Sequence, residues 1–227
     1  MRPQLTLHFG HRPAMGAEDF LVADSNAEAV AWIDRWPDWP APALVVWGPP
    51  GCGKTHLAHV WRARSGGPLL PARALGTADP TALLGGRPHC AVEGADAGVN
   101  ELALLHLYNL LAEQRGSMLL TAAQPPARWN IRLPDLRSRL NAAPKAGVRP
   151  PDDALMAAVI AKLFADRQIQ VRQDVIDWLL LHLERSFDAA RKAVATIDEA
   201  SLSARRPVTP ALAREVLAGR LPDEAES

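Results

Sequence analysis

Ala43-Leu44-Val45-Val46-Trp47-Gly48-Pro49-Pro50-Gly51-Cys52-Gly53-Lys54-Thr55 is the stretch on which the fold of this chain turns. Five apolar residues in succession read as a short strand buried on both faces, the habit of a parallel sheet. The next eight, Gly48 to Thr55, fit G-x-x-x-x-G-K-[ST] in full, and a helix follows from Thr55 to about Arg64. Strand, glycine loop and helix together are the context that the pattern demands. The glycines let backbone N–H groups turn inward around a phosphate, and the helix start adds its positive end. Lys54 would then reach the β- and γ-phosphates, and the Thr55 hydroxyl would ligate Mg²⁺. Gly48, Pro49, Pro50, Gly51, Cys52, Gly53, Lys54, Thr55 and the adjoining His56 are therefore the expected nucleotide-binding segment. A thiol at a helix N-terminus can be acidified, so Cys52 could be a redox switch. A small residue tolerated in the loop is the plainer reading.

The same alternation of strand and helix extends on both sides. Upstream, Ser25 to Trp36 reads as a helix capped by Ser25 or Asn26, with Val30, Ile33 and Trp36 as its apolar stripe. Pro37 to Pro42 closes it. Downstream, Leu69-Leu70 and Cys90-Ala91-Val92 read as strands, Asn100 to Gln114 as a helix with Leu104, Leu107, Leu110 and Leu111 at helical spacing, and Met118 to Thr121 as a further strand. The expected class is α/β, a P-loop module with a parallel sheet flanked by helices. After Pro150-Pro151 the strand signals stop. Helices are expected from Asp152 or Asp153 to about Arg167, from Asp174 to Arg185, from Phe187 to Ala204 and from Pro210 to Leu217. The expected domains are a leader at 1–16, the α/β domain at 17–150, a small all-helical domain at 151–221 and an acidic tail at 222–227.

Composition narrows the function classes. The 227 residues carry 25 Lys+Arg against 25 Asp+Glu, and 48% are hydrophobic. That suits a globular protein with ample core and argues against wrapping nucleic acid by bulk charge. The zero is uneven: residues 1–150 hold 15 basic and 12 acidic residues, and 151–227 hold 10 and 13. Two cysteines, Cys52 and Cys90, are too few for a disulfide framework and suit a reducing cytoplasm. No apolar run approaches the roughly 18 residues of a membrane span, and Met1 to Phe9 lacks a secretory core. A cytoplasmic protein without a membrane partner is expected.

Two further features bear on chemistry. A P-loop ATPase places an Asp at the end of a later strand to hold Mg²⁺, and many add a neighbouring Glu that activates water. Here His89-Cys90-Ala91-Val92-Glu93-Gly94-Ala95-Asp96 puts Glu93 at the metal-holding position and Gly94 at the other. Glycine cannot activate water, and Asp96 is wrongly spaced to replace it. Weak intrinsic hydrolysis is expected, with a solvated charge as the plain alternative for Glu93. Between Arg128 and Arg149 stand Arg128, Arg132, Arg137, Arg139, Lys145 and Arg149 against one acid, Asp135. Leu133 to Leu140 reads as a helix with Pro134 in its first turn and Leu133, Leu136 and Leu140 inward. An arginine projecting from it could complete a partner's active site or simply be solvated.

Taken together, Gly48 to Thr55, Leu133-Pro134-Asp135-Leu136-Arg137-Ser138-Arg139-Leu140 and the trailing helices resemble the AAA+ module of the bacterial initiator DnaA with its lid. Asp19-Phe20-Leu21-Val22 with Ser25-Asn26 is similar to the part of that module near the adenine, which implies Phe20, Val22 and Asn26 as nucleotide contacts. The opening Gln4-Leu5-Thr6-Leu7-His8-Phe9 makes the chain similar to the Hda family, regulatory inactivators of DnaA. In that family a Q-L-x-L peptide docks on the β sliding clamp of DNA polymerase III, which here implies Gln4, Leu5, Leu7 and Phe9. The resemblance spans about residues 4 to 221. It implies Arg139 as an arginine finger acting in trans on DnaA-bound ATP, and Thr121 at the sensor-1 position. Asp188 falls where the lid would carry a sensor-2 arginine, with Arg185 and Arg191 nearby. The implied function is negative regulation of replication initiation by a clamp-tethered protein holding ADP or ATP with Mg²⁺. Contact with DNA would be indirect, at the nucleoid or replisome, and a homo-oligomer is possible. The rival readings are an AAA+ helicase loader or replication adaptor, which has no evident need of the clamp peptide, and a stand-alone P-loop ATPase.

Overall fold

The computed structural model describes residues 21–76 and 79–218. They fall into an α/β unit up to Arg149 and a helical unit from Pro150 onward. In the first unit the strands are β1 (Ala43–Trp47), β2 (Leu69–Pro71), β3 (His89–Glu93), β4 (Ser117–Ala122) and β5 (Lys145–Gly147), the first four centred on apolar residues. They form one sheet in the order β2-β3-β4-β1-β5, every pairing parallel. The helices of this unit are α1 (Ala27–Asp34), α2 (Lys54–Ser65), α3 (Pro80–Leu84), α4 (Glu101–Glu113) and α5 (Pro134–Ala142).

Alternation along the strands sends successive side chains to opposite faces, and each face has its own core. Ala43, Val45, Cys90, Val92, Met118 and Leu120 pack with Leu104, Leu107 and Leu111 of α4 and with Leu136 and Leu140 of α5. Leu44, Val46, Ala91, Leu119 and Ala146 pack with Ala29 and Ile33 of α1 and with Leu57, Ala58 and Trp61 of α2. Burial on both faces explains why these strands carry no polar alternation.

One expectation changes. Neither Ser25 nor Asn26 caps α1 through its side chain; the Asn26 carboxamide accepts from the Ala23 N–H at 3.0 Å and donates to the Leu21 carbonyl at 3.0 Å. Among the Leu residues of α4, Leu110 is only partly buried, because the stripe centres on Leu104, Leu107 and Leu111. Leu133 likewise packs partly buried, beside the fully covered Leu136 and Leu140. β5 and α3 had no reading in the sequence. Pairing with β1 holds the three residues of β5 extended. α3 is a single capped turn, with the Asp79 carboxylate accepting from the Thr81 and Ala82 N–H groups.

The second unit is built of α6 (Asp153–Ala165), α7 (Gln173–His182), α8 (Phe187–Ala204) and α9 (Pro210–Leu217). Side-chain caps start three of them: Asp152 accepts from the Leu155 N–H, Ser186 from Ala189 and Thr209 from Leu212. α7 stops three residues short of Arg185 because Leu183 turns extended. The core of the unit is Met156, Ile160, Phe164, Val175, Leu179, Val194, Ile197 and Leu217 with their neighbours. Among the described residues no helix is long and apolar enough to cross a membrane. The expected leader, with Gln4, Leu5, Leu7 and Phe9, lies outside the described residues, as do Phe20 and the acidic tail.

Candidate functional site

The site is assembled at the carboxyl ends of the strands, the edge at which open α/β sheets bind ligands. Gly48 leaves β1 in a tight passage. Its N–H donates to the Ala122 carbonyl at 3.1 Å, while the neighbouring Val148 N–H donates to the Trp47 carbonyl at 2.7 Å. A Cβ on Gly48 would lie 2.1 Å from the Val148 carbonyl oxygen, so a side chain has no room there. Gly53, with φ 105, stands immediately before α2 in a conformation that a residue with a Cβ rarely adopts. The loop thus opens its backbone at the start of a twelve-residue helix, the arrangement that favours a phosphate.

Lys54, the first residue of α2, folds back over the loop and donates from Nζ to the carbonyls of Gly48 and Pro49, each at 2.7 Å. Burial pushes the Cys52 thiol up, with nearby Lys54 pulling the other way. That balance favours a packed thiol over a reactive one. Thr55 is exposed on the first turn, and His56 follows it half-buried. Val22 and Asn26 belong to a segment fastened to the chain just beyond β5. The Arg149 N–H donates to the Ser25 carbonyl at 2.9 Å, and its guanidinium donates to the Asp24 carbonyl at 2.8 Å.

β4 lies between β1 and β3, in register Val46 with Thr121 and Leu120 with Val92. Thr121 is therefore level with Val46, two residues before the phosphate loop, and Glu93, the residue after Val92, ends β3 at the same level as Thr121. The Thr121 hydroxyl accepts from the Gly94 N–H at 3.4 Å, and its carbonyl accepts from the Ala95 N–H at 2.9 Å. Asp96 is committed elsewhere. Its Oδ2 accepts from the Ala123 and Gln124 N–H groups at 2.9 and 3.0 Å, tying the turn after β3 to the turn after β4.

Loop N–H groups, Lys54, the Thr55 hydroxyl and Glu93 make a donor set suited to a polyphosphate with a hard cation. Among the described residues no group of three His, Cys, Asp or Glu side chains could cage a metal alone. Mg²⁺ is commonly held by one or two protein oxygens with phosphates and water, and Thr55 and Glu93 could supply those oxygens. A bound Mg²⁺ would neutralise phosphate charge.

Arg139 stands on α5. Its Nε donates to Asp135 at 2.9 Å, and its guanidinium carbon lies 5.2 Å from the centre of the Tyr108 ring on α4. α5 opens without a side-chain cap of its own. Glu101 fills the gap from α4: its carboxylate accepts from the Arg132 N–H at 3.0 Å and the Leu133 N–H at 2.7 Å. These bonds hold the Glu101 carboxyl below the usual carboxylate range. Neither Glu101 nor Tyr108 stood out in the sequence. An acidic residue in a first helical turn hints at the former, but its partners 31 and 32 residues away leave no trace in spacing.

Within the helical unit, Asp188 sits in the first turn of α8 and pairs with Arg191 at 3.1 Å and Lys192 at 3.5 Å. Arg191 in particular keeps its carboxyl below the usual range. Arg185 pairs with Asp153 at the start of α6.

Residues 153–217 match the family described as Hda, lid domain. Domain III of the replication initiation protein DnaA from Thermotoga maritima superposes with a TM-score of 0.75 at 15% identity, over 88% of this chain and 94% of that one. AMPPCP-bound DnaA from Aquifex aeolicus gives 0.65 at 16% identity, over 78% of this chain and 63% of that longer one. The RuvB Holliday junction branch migration motor from Thermotoga maritima gives 0.67 at 14% identity, over 86% and 66%. The chain is thus similar to a whole DnaA domain III but spans only about two thirds of the longer proteins. Residues 153–217 are thus similar to the Hda lid domain, and the chain shares the fold of DnaA domain III.

Proposed function

We propose that this protein is a negative regulator of replication initiation that stimulates hydrolysis of ATP bound to DnaA. The observation that carries the reading is the Hda lid match on a chain with the fold of DnaA domain III. In this reading Gly48 to Thr55 hold ADP or ATP, with Thr55 and Glu93 on Mg²⁺ and Val22 and Asn26 toward the base. Thr121 senses the nucleotide at the end of β4. Gln4, Leu5, Leu7 and Phe9 tether the protein to the sliding clamp, and Arg139 enters the nucleotide site of DnaA. An arginine supplied in trans stabilises charge developing on the transferred phosphoryl group and can accelerate hydrolysis by roughly 10³–10⁵. The protein's own turnover is slow. Gly94 supplies no carboxylate beside Glu93, and Asp96 is engaged on two backbone N–H groups.

The test is ATP hydrolysis by DnaA in the presence of clamp-loaded DNA and this protein. Stimulation that is lost in Arg139→Ala and in a chain lacking residues 4–9 is expected. Absence of stimulation, or stimulation that survives both changes, overturns the proposal. Brisk ATP turnover by this protein alone would overturn the mechanism in favour of a stand-alone ATPase.

A further inference from the structure

An arginine that must act in another protein's site faces a problem of order. Its side chain has many rotamers, and freezing one on docking costs affinity or rate. In this structure Arg139 is already held, and the way it is held leaves its working edge open. Of the five guanidinium N–H donors, the one on Nε is spent on Asp135 at 2.9 Å. The Tyr108 ring covers one face of the guanidinium at 5.2 Å. The four N–H donors on the two Nη nitrogens have no hydrogen-bond partner among the described residues. That is the edge with which arginine grips two phosphate oxygens at once.

The supports differ in character. Tyr108, the one tyrosine of the chain, is 7% exposed and fixed by packing in α4. Asp135 is exposed and one helical turn before Arg139, so its grip is loose and exchangeable. A rigid ring beneath and a light anchor at one corner define the plane of the guanidinium without occupying its fork.

Resting on the reading of Arg139 as a trans-acting residue, we infer that Tyr108 and Asp135 are positioning residues. They present the Nη edge of Arg139 to the phosphates of a nucleotide held by the partner. Neither touches that nucleotide, and each acts only through Arg139.

The test uses the full-length protein in the DnaA hydrolysis assay with clamp-loaded DNA, measured at saturating and limiting protein. Tyr108→Leu and Asp135→Ala should each lower the maximal stimulated rate about two- to tenfold, the factor expected when one rotamer-rich side chain must be ordered at the moment of docking. Tyr108→Phe, which keeps the ring, and Asp135→Asn, which keeps an acceptor for Nε, should retain it. In an Arg139→Ala background neither Tyr108→Leu nor Asp135→Ala should have any further effect. If Arg139→Ala abolishes stimulation while Tyr108→Leu and Asp135→Ala leave it intact, positioning is refuted and the role of Arg139 stands. If Arg139→Ala leaves stimulation intact, it is the proposed function that fails. Effects that persist without Arg139, or that track a lowered melting temperature, refute positioning in favour of ordinary structural support. Asp135→Ala keeps the test open should Tyr108→Leu fold poorly, since Asp135 lies at the surface.

Discussion

Lys54 is held by the backbone of the loop proposed to bind phosphate. An ammonium group has three donors and no acceptor, and two of them are met by the Gly48 and Pro49 carbonyls at 2.7 Å. Both partners belong to the loop, so the lysine costs the core nothing when it moves. A hydrogen bond to a charged group contributes about 1.5–3 kcal/mol. Lys54→Ala is therefore expected to weaken ATP binding by roughly 10- to 150-fold while leaving the fold unchanged. Titration with a fluorescent adenine nucleotide, read beside the far-ultraviolet circular dichroism, checks both halves. Unaltered affinity would remove Lys54 from the site. Cys52, two residues earlier, contributes by being small and buried.

α5 carries Arg139, and its direction is set from outside the helix. Leu133 precedes the first turn and offers no side-chain acceptor, yet the opening N–H groups of a helix need partners. Glu101, on α4, accepts from the Arg132 and Leu133 N–H groups and so ties the residues leading into the helix to α4. Those bonds favour the charged carboxylate, so its folded value lies below its ordinary 4.5. The sign follows from linkage. The hold is complete above the ordinary value and is lost as pH falls below about 4.5 through the depressed one. Hydrogen-exchange protection at the Arg132 and Leu133 amides should drop below about pH 4.5 in the native protein. In Glu101→Ala it should be low already at neutral pH and show no such step. Protection independent of pH in the native protein would mean that α5 is anchored by other contacts.

The described residues contain three cores, two in the α/β unit and one in the helical unit. In the α/β unit the sheet is covered on both faces, whereas the helical unit closes on a single cluster around Phe164, Leu179 and Ile197. Leu179 is fully buried there, so Leu179→Ala should destabilise that unit by about 2–5 kcal/mol. Hydrogen exchange across α6 to α9 in urea is the measurement, and unchanged protection in those helices would refute the assignment. Much of this architecture is legible in the residues. β1, the glycine loop and α2 are encoded contiguously, and α8 and α9 fall on Phe187–Ala204 and Pro210–Leu217 because cap, apolar stripe and proline are all local signals. Lys145-Ala146-Gly147 holds one apolar residue and becomes β5 only by pairing with β1. The spacing of Asp96 argues against a base, but its actual task is not written locally, because the N–H groups that engage it lie 27 and 28 residues on. The sequence alone therefore determined the strand–loop–helix unit, the parallel α/β class and the trailing helices, since these follow from patterns shorter than a helix. Only the tertiary structure decided the strand order, the commitment of Asp96, the anchoring of α5 by Glu101 and the seating of Arg139 on Tyr108. Each of these joins groups far apart in the chain, and such pairings are chosen by how the elements pack.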